Sequence, residues 1–126
     1  MTDKTGKSIL IMEDEDATRS ILSEAMKNAG FNVFTSPRVD AQCIDILVNK
    51  KIDLMLLDLG LFSFDSAQII KFLHTQKVAA NIPIIIISGK PVAEIEKSAK
   101  EIHARDWATK PFKIEEVLAK VHKILG

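Results

Sequence analysis

The chain has a single cysteine, Cys43. That excludes an internal disulfide and fits a reducing compartment. Cys43 falls within an apolar helical pattern and reads as a small core residue. Neither sign of charge is in excess: 17 Lys and Arg face 17 Asp and Glu. No net field therefore draws the chain to nucleic acid or anionic lipid, and no run of basic residues marks a hidden patch. Long hydrophobic stretches are also missing. Ile82 to Ile87 is the longest aliphatic one, far below the roughly 20 residues a membrane span needs. The N-terminus is polar from Met1 to Ser8, and the apolar run Ile9 to Met12 is too short for a signal peptide. A cytoplasmic location is the expectation. No repeat, low-complexity tract or Pro/Gly/Ser-rich linker divides the sequence. Its 126 residues thus read as one domain, 1–126 with a core of about 8–125, and a hydrophobic content of 47% rules out wholesale disorder.

What is present is an alternation of short apolar runs and amphipathic segments. Ile9 to Met12 reads as a buried strand. Ala17 to Ala29 carries Ile21, Leu22, Ala25, Met26 and Ala29 at helical spacing, with Gly30 placed to end the helix. Phe31 to Thr35 alternates like a strand, and Val39 to Val48 predicts a helix with Val39, Cys43, Ile44 and Leu47 inward. Asp53 to Leu57 is a third strand, followed by a predicted helix over Asp65 to Gln76 with Ile69, Ile70 and Leu73 on one side. Ile84 to Ile87 forms a fourth strand, apolar on both faces. A helix from Val92 to His103 shows Val92, Ile95, Ala99 and Ile102. A short strand over Asp106 to Thr109 precedes a last helix with Ile114, Val117, Leu118, Val121 and Leu125. Continuous apolar strands alternating with helices mean a parallel sheet covered on both faces, joined by right-handed crossovers. Ligands of such open sheets collect at the carboxyl ends of the strands.

The residues past those ends are Glu13, Asp14, Glu15 and Asp16; Asp58; Ser88 with Gly89; and Thr109 with Lys110. Distant positions are thereby predicted to converge as carboxylates, a hydroxyl and an ammonium. Glu15 and Asp16 read as capping and dipole partners of the first helix. The remaining carboxylates repel one another unless a cation sits among them, and hard oxygen ligands point to Mg²⁺ or Mn²⁺. A softer metal is not indicated, since His74, His103 and His122 occupy helical patterns where solvent-facing positions are expected. With a cation bound, Asp58 can act as a nucleophile toward phosphorus, while Ser88 and Lys110 hold phosphoryl oxygens.

The ordered set Glu13-Asp14, Asp58, Ser88 and Lys110-Pro111-Phe112 resembles the receiver domain of two-component response regulators, chemotaxis regulators among them, across nearly the whole chain. The resemblance implies a flavodoxin-like (βα)5 three-layer sandwich with a parallel sheet in the order 2-1-3-4-5. It implies Asp58 as phosphoacceptor, and Mg²⁺ (or Mn²⁺) held by Glu13, Asp14, Asp58 and the backbone carbonyl of Gly60. Ser88 would be the switch hydroxyl, Lys110 the family lysine, and Lys110-Pro111 a cis peptide. Trp107 falls on the switch-aromatic position, where its bulk and its N–H disfavour an inward swing. Gly60 and Lys90 occupy positions that tune phosphoryl lifetime. Gly60 offers no side chain to orient water, so slow self-hydrolysis is expected. Phe62 and Ser66 stand where the family usually has Pro and Gly, His103-Ala104 where it commonly has Gly-Ala, and Lys113 where the last helix usually has an acidic cap.

By this resemblance the chain takes a phosphoryl group from a sensor histidine kinase or a histidine phosphotransfer protein and catalyses only its own phosphotransfer and dephosphorylation. It would signal to a downstream protein partner through the fourth helix, fifth strand and fifth helix, by way of Lys90, Val92, Ile95, Trp107 and Lys113. No output segment is expected after Gly126, no nucleic-acid or membrane partner is indicated, and the state would be a monomer or a phosphorylation-dependent dimer. Two rivals stand beside this reading. A receiver-like interaction module that is never phosphorylated would have little use for Asp58, Ser88 and Lys110 together. A metal-dependent phosphohydrolase usually carries Asp-x-Asp after its first strand, where this chain has Glu13-Asp14-Glu15, and a cap for which the chain is too short.

Overall fold

Successive side chains of a strand point to opposite faces of its sheet. A strand that is apolar at every position therefore needs cover on both sides, and the computed structural model shows how this chain supplies it. The structure describes residues 6–61, 71, 73, 75 and 81–126. Within them run β1 (Ser8–Met12), α1 (Asp16–Asn28), β2 (Asn32–Ser36), α2 (Ala41–Asn49), β3 (Leu54–Asp58), a 3-10 turn (Leu59–Leu61), β4 (Ile84–Ser88), α3 (Val92–Glu101), β5 (Asp106–Thr109) and α4 (Ile114–Leu125). The strands form one sheet in the order β2-β1-β3-β4-β5, and all pairings are parallel. Of the helix predicted over Asp65 to Gln76, positions 71, 73 and 75 are helical; the remainder, with Phe62, Ser66, Ile69, Ile70 and His74, lies outside the described residues.

The two faces separate cleanly by strand parity. Leu10, Met12, Met55, Leu57, Ile84 and Ile86 pack with Cys43, Ile46 and Leu47 of α2, with Leu73, and with Ile95 of α3. Ile9, Ile11, Leu54, Leu56, Ile85 and Ile87 pack with Leu22 and Met26 of α1 and with Val117 and Val121 of α4. Cys43 is fully buried, and burial pushes its thiol up to about 11.

Helix ends follow local chemistry. Gly30, at φ 96°, closes α1, with its amide donating to Lys27 O and the Phe31 amide to Met26 O. Asp40 caps α2 by accepting from the Cys43 amide. After α3 the turn residue is His103, a non-glycine at φ 56°. An L-residue pays about 1–2 kcal/mol for that conformation, so His103 occupies a position that would suit glycine. Lys113 heads α4 without a side-chain cap, as the sequence suggested.

Several expectations need correction. Asp58 and Ser88 are the last residues of their strands instead of lying past them, because pairing continues through Asp58↔Ile87 and Ser88↔Thr109, while β5 ends at Thr109 as expected. Ile21 is 54% exposed and Ile44 half-buried, while Ile46 takes the inward place. Each helix offers adjacent apolar positions, and the rotation that packs Leu22, Met26 and Leu47 leaves the alternatives outward. Val92, grouped with Ile95 in the sequence pattern, is 45% exposed, whereas Ile95 is wholly buried. Ile95 therefore supports the α3 surface from beneath and cannot present itself to a partner. Glu15 sits at the N-cap of α1 but makes no capping bond to a backbone amide; it accepts from the Thr18 hydroxyl instead.

Ile86 lies at the centre of the sheet with no exposed surface. Ile86→Ala should lower unfolding stability by about 2–5 kcal/mol and Ile86→Val by about 0.5–1.5 kcal/mol in urea titrations. An alanine variant as stable as the parent would show that the two-sided core is misassigned.

Candidate functional site

Parallel pairing brings the carboxyl ends of β1, β3, β4 and β5 to one edge, and three carboxylates and a lysine meet there. Asp58, 6% exposed, ends β3. Its Oδ1 accepts from the Gly60 amide at 2.9 Å, and its Oδ2 accepts from Lys110 Nζ at 3.2 Å. Lys110 reaches in from the end of β5, across β4, and its Nζ also lies 2.9 Å from Glu13 Oε2. Glu13 follows β1 and is 1% exposed. Its Oε1 accepts from the Glu15 amide, while Oε2, beside the ammonium, has no donor aimed at it. Asp14 is exposed, and carboxylate oxygens of Glu13, Asp14 and Asp58 lie within 4.8 Å of one another.

The structure thus gathers four of the predicted residues, Glu13, Asp14, Asp58 and Lys110, into one cluster. Ser88 is 1% exposed at the end of β4, one residue beyond the Ile87 that pairs with Asp58. Its hydroxyl accepts from the Lys90 amide, and its carbonyl from the Lys110 amide. Gly60 is exposed, and a Cβ there would stand 3.3 Å from Asp58 Oδ1. Any larger residue would crowd the approach to that oxygen. Lys110-Pro111 is cis, as the resemblance implied.

Trp107 and Lys90 stand outside the cluster. Trp107 pairs with Ile86 across β4–β5, so its half-buried ring turns to the α3 side. There it lines an open cleft of about 620 Å³ with Ala99, Lys100 and His103. Lys90 is exposed, as are His103 and His122.

Sequence reading passed over Arg19. This α1 residue reaches back into the acidic segment, donating from Nη1 to Glu13 O at 3.1 Å and, more weakly, to Asp14 O at 3.5 Å, with Nη2 paired to Asp16. It is the one basic residue in the stretch 13–24, a signal that was available.

The electrostatics reflect crowding. Burial, and then the neighbouring Asp58 charge, hold the Glu13 carboxyl above its ordinary range, although Lys110 and the Glu15 amide pull it down. Burial alone would lower the Lys110 ammonium, but its pairing with Glu13 and Asp58 outweighs that and raises it. One ammonium between two buried carboxylates leaves a net negative pocket. Hard oxygen ligands from three clustered carboxylates in such a pocket suit a small divalent cation.

A sequence-family profile for the response regulator receiver domain matches residues 9–122. Curated relatives include the cell cycle transcriptional regulator CtrA of Caulobacter vibrioides, 33% identical over 119 residues, covering 93% of this chain and 49% of that protein. The phosphate regulon regulatory protein PhoB of Pseudomonas aeruginosa is 30% identical over 120 residues, covering 95% of this chain and 52% of its own length. The chain thus spans about half the length of these relatives. Among solved structures, the chemotaxis response regulator CheY4 of Vibrio cholerae superposes with TM-score 0.81 at 20% identity, covering 95% of this chain and 99% of that one. The receiver domain of the sensor histidine kinase PA1611 of Pseudomonas aeruginosa, which holds magnesium in its active-site cleft, gives 0.80 at 20% identity, covering 97% and 99%.

Because the folded chain holds the Glu13 proton more tightly than the unfolded chain does, ionising Glu13 costs stability as pH rises through its raised pKa. In EDTA at pH 7, Glu13→Gln is expected to raise Tm by a few degrees. The advantage should shrink as pH falls and the parent carboxyl takes up its proton. A lower Tm for the variant at pH 7 would contradict this account of the pocket.

Proposed function

The chain belongs to the response regulator receiver domain family, and from that premise we propose that it accepts a phosphoryl group on Asp58 and relays the event to a protein partner. The observation that carries this reading is the state of Asp58 itself. Its carboxylate is buried at a strand end, oriented through both oxygens by the Gly60 amide and Lys110, and flanked by two further carboxylates.

Glu13, Asp14, Asp58 and the Gly60 carbonyl would hold Mg²⁺ or Mn²⁺. A bound cation would offset the repulsion between the Asp58 carboxylate and an anionic donor. Lys110 would pair with one phosphoryl oxygen, exchanging part of its present contact with Glu13 and Asp58. The Ser88 hydroxyl, now fastened to the Lys90 amide, would turn to donate to another. The donor in this reading is a sensor histidine kinase or a histidine phosphotransfer protein in the cytoplasm. A receiver domain of a sensor kinase and transcriptional regulators both appear among the similar proteins, so either context suits this reading.

Modification adds roughly −1.5 to −2 charges to the pocket. The response is a population shift toward loop arrangements in which Ser88 and Lys110 close on the phosphoryl group. The output surface in this proposal comprises α3, β5 and α4, with Lys90, Val92, Trp107 and Lys113 exposed or half-buried on it. Trp107 follows rather than leads: its ring already fills the α3 side, and the open cleft beside it gives room for adjustment without full inward burial. The oligomeric state in this reading is a monomer or a dimer that forms on phosphorylation.

Incubation with acetyl phosphate and Mg²⁺ should add one phosphoryl mass to the intact protein and none to Asp58→Ala. Absence of the adduct under those conditions would favour an unphosphorylated interaction module. Gly60 offers no side chain to orient an attacking water, so the adduct should persist for minutes or longer. Decay within a few seconds would overturn the lifetime assignment while leaving the acceptor in place.

A further inference from the structure

The acidic segment that runs from the end of β1 into α1 carries four consecutive carboxylates, Glu13 to Asp16, and mutual repulsion should spread it. The Glu13 amide donates to Ser36 O, the Glu15 amide donates to Glu13 Oε1, Thr18 and Lys110 meet the Glu15 and Glu13 side chains, and among the described residues the Arg19 side chain adds contacts to the main-chain oxygens of Glu13 and Asp14. Arg19 stands on the first turn of α1, where its own amide donates to Glu15 O at 2.9 Å. Its guanidinium folds back over the segment, with one nitrogen on the carbonyls of Glu13 and Asp14 and the other on the Asp16 carboxylate.

The two cations at this edge divide the work. Lys110 sits on the inner side, between Glu13 and Asp58. Arg19 touches neither of those carboxylates and takes the main-chain oxygens instead. A planar fork holds its donors in fixed directions and can pin two successive peptide planes and a side chain at once, whereas the three donors of an ammonium rotate about a flexible stem. Fixing the planes on either side of Asp14 limits where its exposed carboxylate can swing, and fixing the Glu13 carbonyl steadies the residue whose buried carboxylate shares that cluster.

From this geometry we infer that Arg19 is a positioning residue for the cation-binding carboxylates, holding Glu13 and Asp14 in a ligating arrangement through their backbone. The inference rests on the proposed divalent cation at this edge. It assigns Arg19 no contact with the ion or with the phosphoryl group.

Charge and positioning give opposite signs, which makes the idea testable. Removing a nearby positive charge would by itself tighten binding of a cation. Losing the brace would weaken it, by about 10-fold for an outer residue of this type. The test titrates the full chain with Mn²⁺, following the free-ion EPR signal, for the parent, Arg19→Gln and Arg19→Lys, with thermal melts in EDTA to show that each is folded. The expected result is about 10-fold weaker Mn²⁺ binding by Arg19→Gln, with Arg19→Lys between it and the parent. Parental or tighter affinity in folded Arg19→Gln overturns the inference. Should that variant not fold, parental affinity in Arg19→Lys overturns it. A parent chain that binds no Mn²⁺ removes the cation from the proposed function and this inference with it, whereas phosphorylation in Mg²⁺ with an unmoved Arg19→Gln titration defeats the inference alone.

Discussion

Two buried carboxylates a few ångströms apart cannot both remain charged without a cation between them. In this chain the Lys110 ammonium meets that need, standing 2.9 Å from Glu13 and 3.2 Å from Asp58. The arrangement ties the far ends of β1, β3 and β5 to one nitrogen. The Lys110 amide adds a bond to Ser88 O, so β4 joins the same knot. A ligand that competes for the Lys110 ammonium acts on a residue whose contacts reach the ends of all four strands. A single extra anion at Asp58 is well suited to do that, because it offers the ammonium a better partner than either carboxylate alone.

The sheet beneath is built to bear that strain. Its inner strands are clad on both sides by aliphatic layers that separate by strand parity. The crowded carboxylates stand at one rim, while cohesion lies in the apolar layers below. Trp107 packs against the apolar layer on the α3 side. It is three residues from Lys110 along β5, and it packs beside Ala99 under α3. Movement of Lys110 can thus reach the surface of α3 through a short length of chain, with no rearrangement of the central strands.

Much of this was legible in the residues. Inner strands declare themselves when Ile and Leu occupy every position, and a parallel order then dictates that residues after each run share an edge. That reasoning placed Glu13, Asp14, Asp58 and Lys110 together before any coordinates. It misjudged the rotation of α1 and α2, since Ile21 and Leu22, or Ile44 and Ile46, satisfy a helical period about equally and only packing chooses. It also extended the strands one residue too few at Asp58 and Ser88, because polar end residues continue a ladder without continuing an apolar run. Arg19 escaped for a different reason. A side chain that reaches back to carbonyls of the preceding loop leaves no periodic trace, and its role depends on distances that spacing alone does not supply.

The buried thiol of Cys43 has a practical corollary. With its ionisation pushed up to about 11 and its sulfur sealed under α2, the chain's sole cysteine stays silent toward alkylating reagents near neutrality. A second cysteine introduced at the exposed Val92 would then be the only one to react, so a spin label or fluorophore could be attached to α3 without first deleting the native residue. The domain arrives ready for spectroscopy of its own surface.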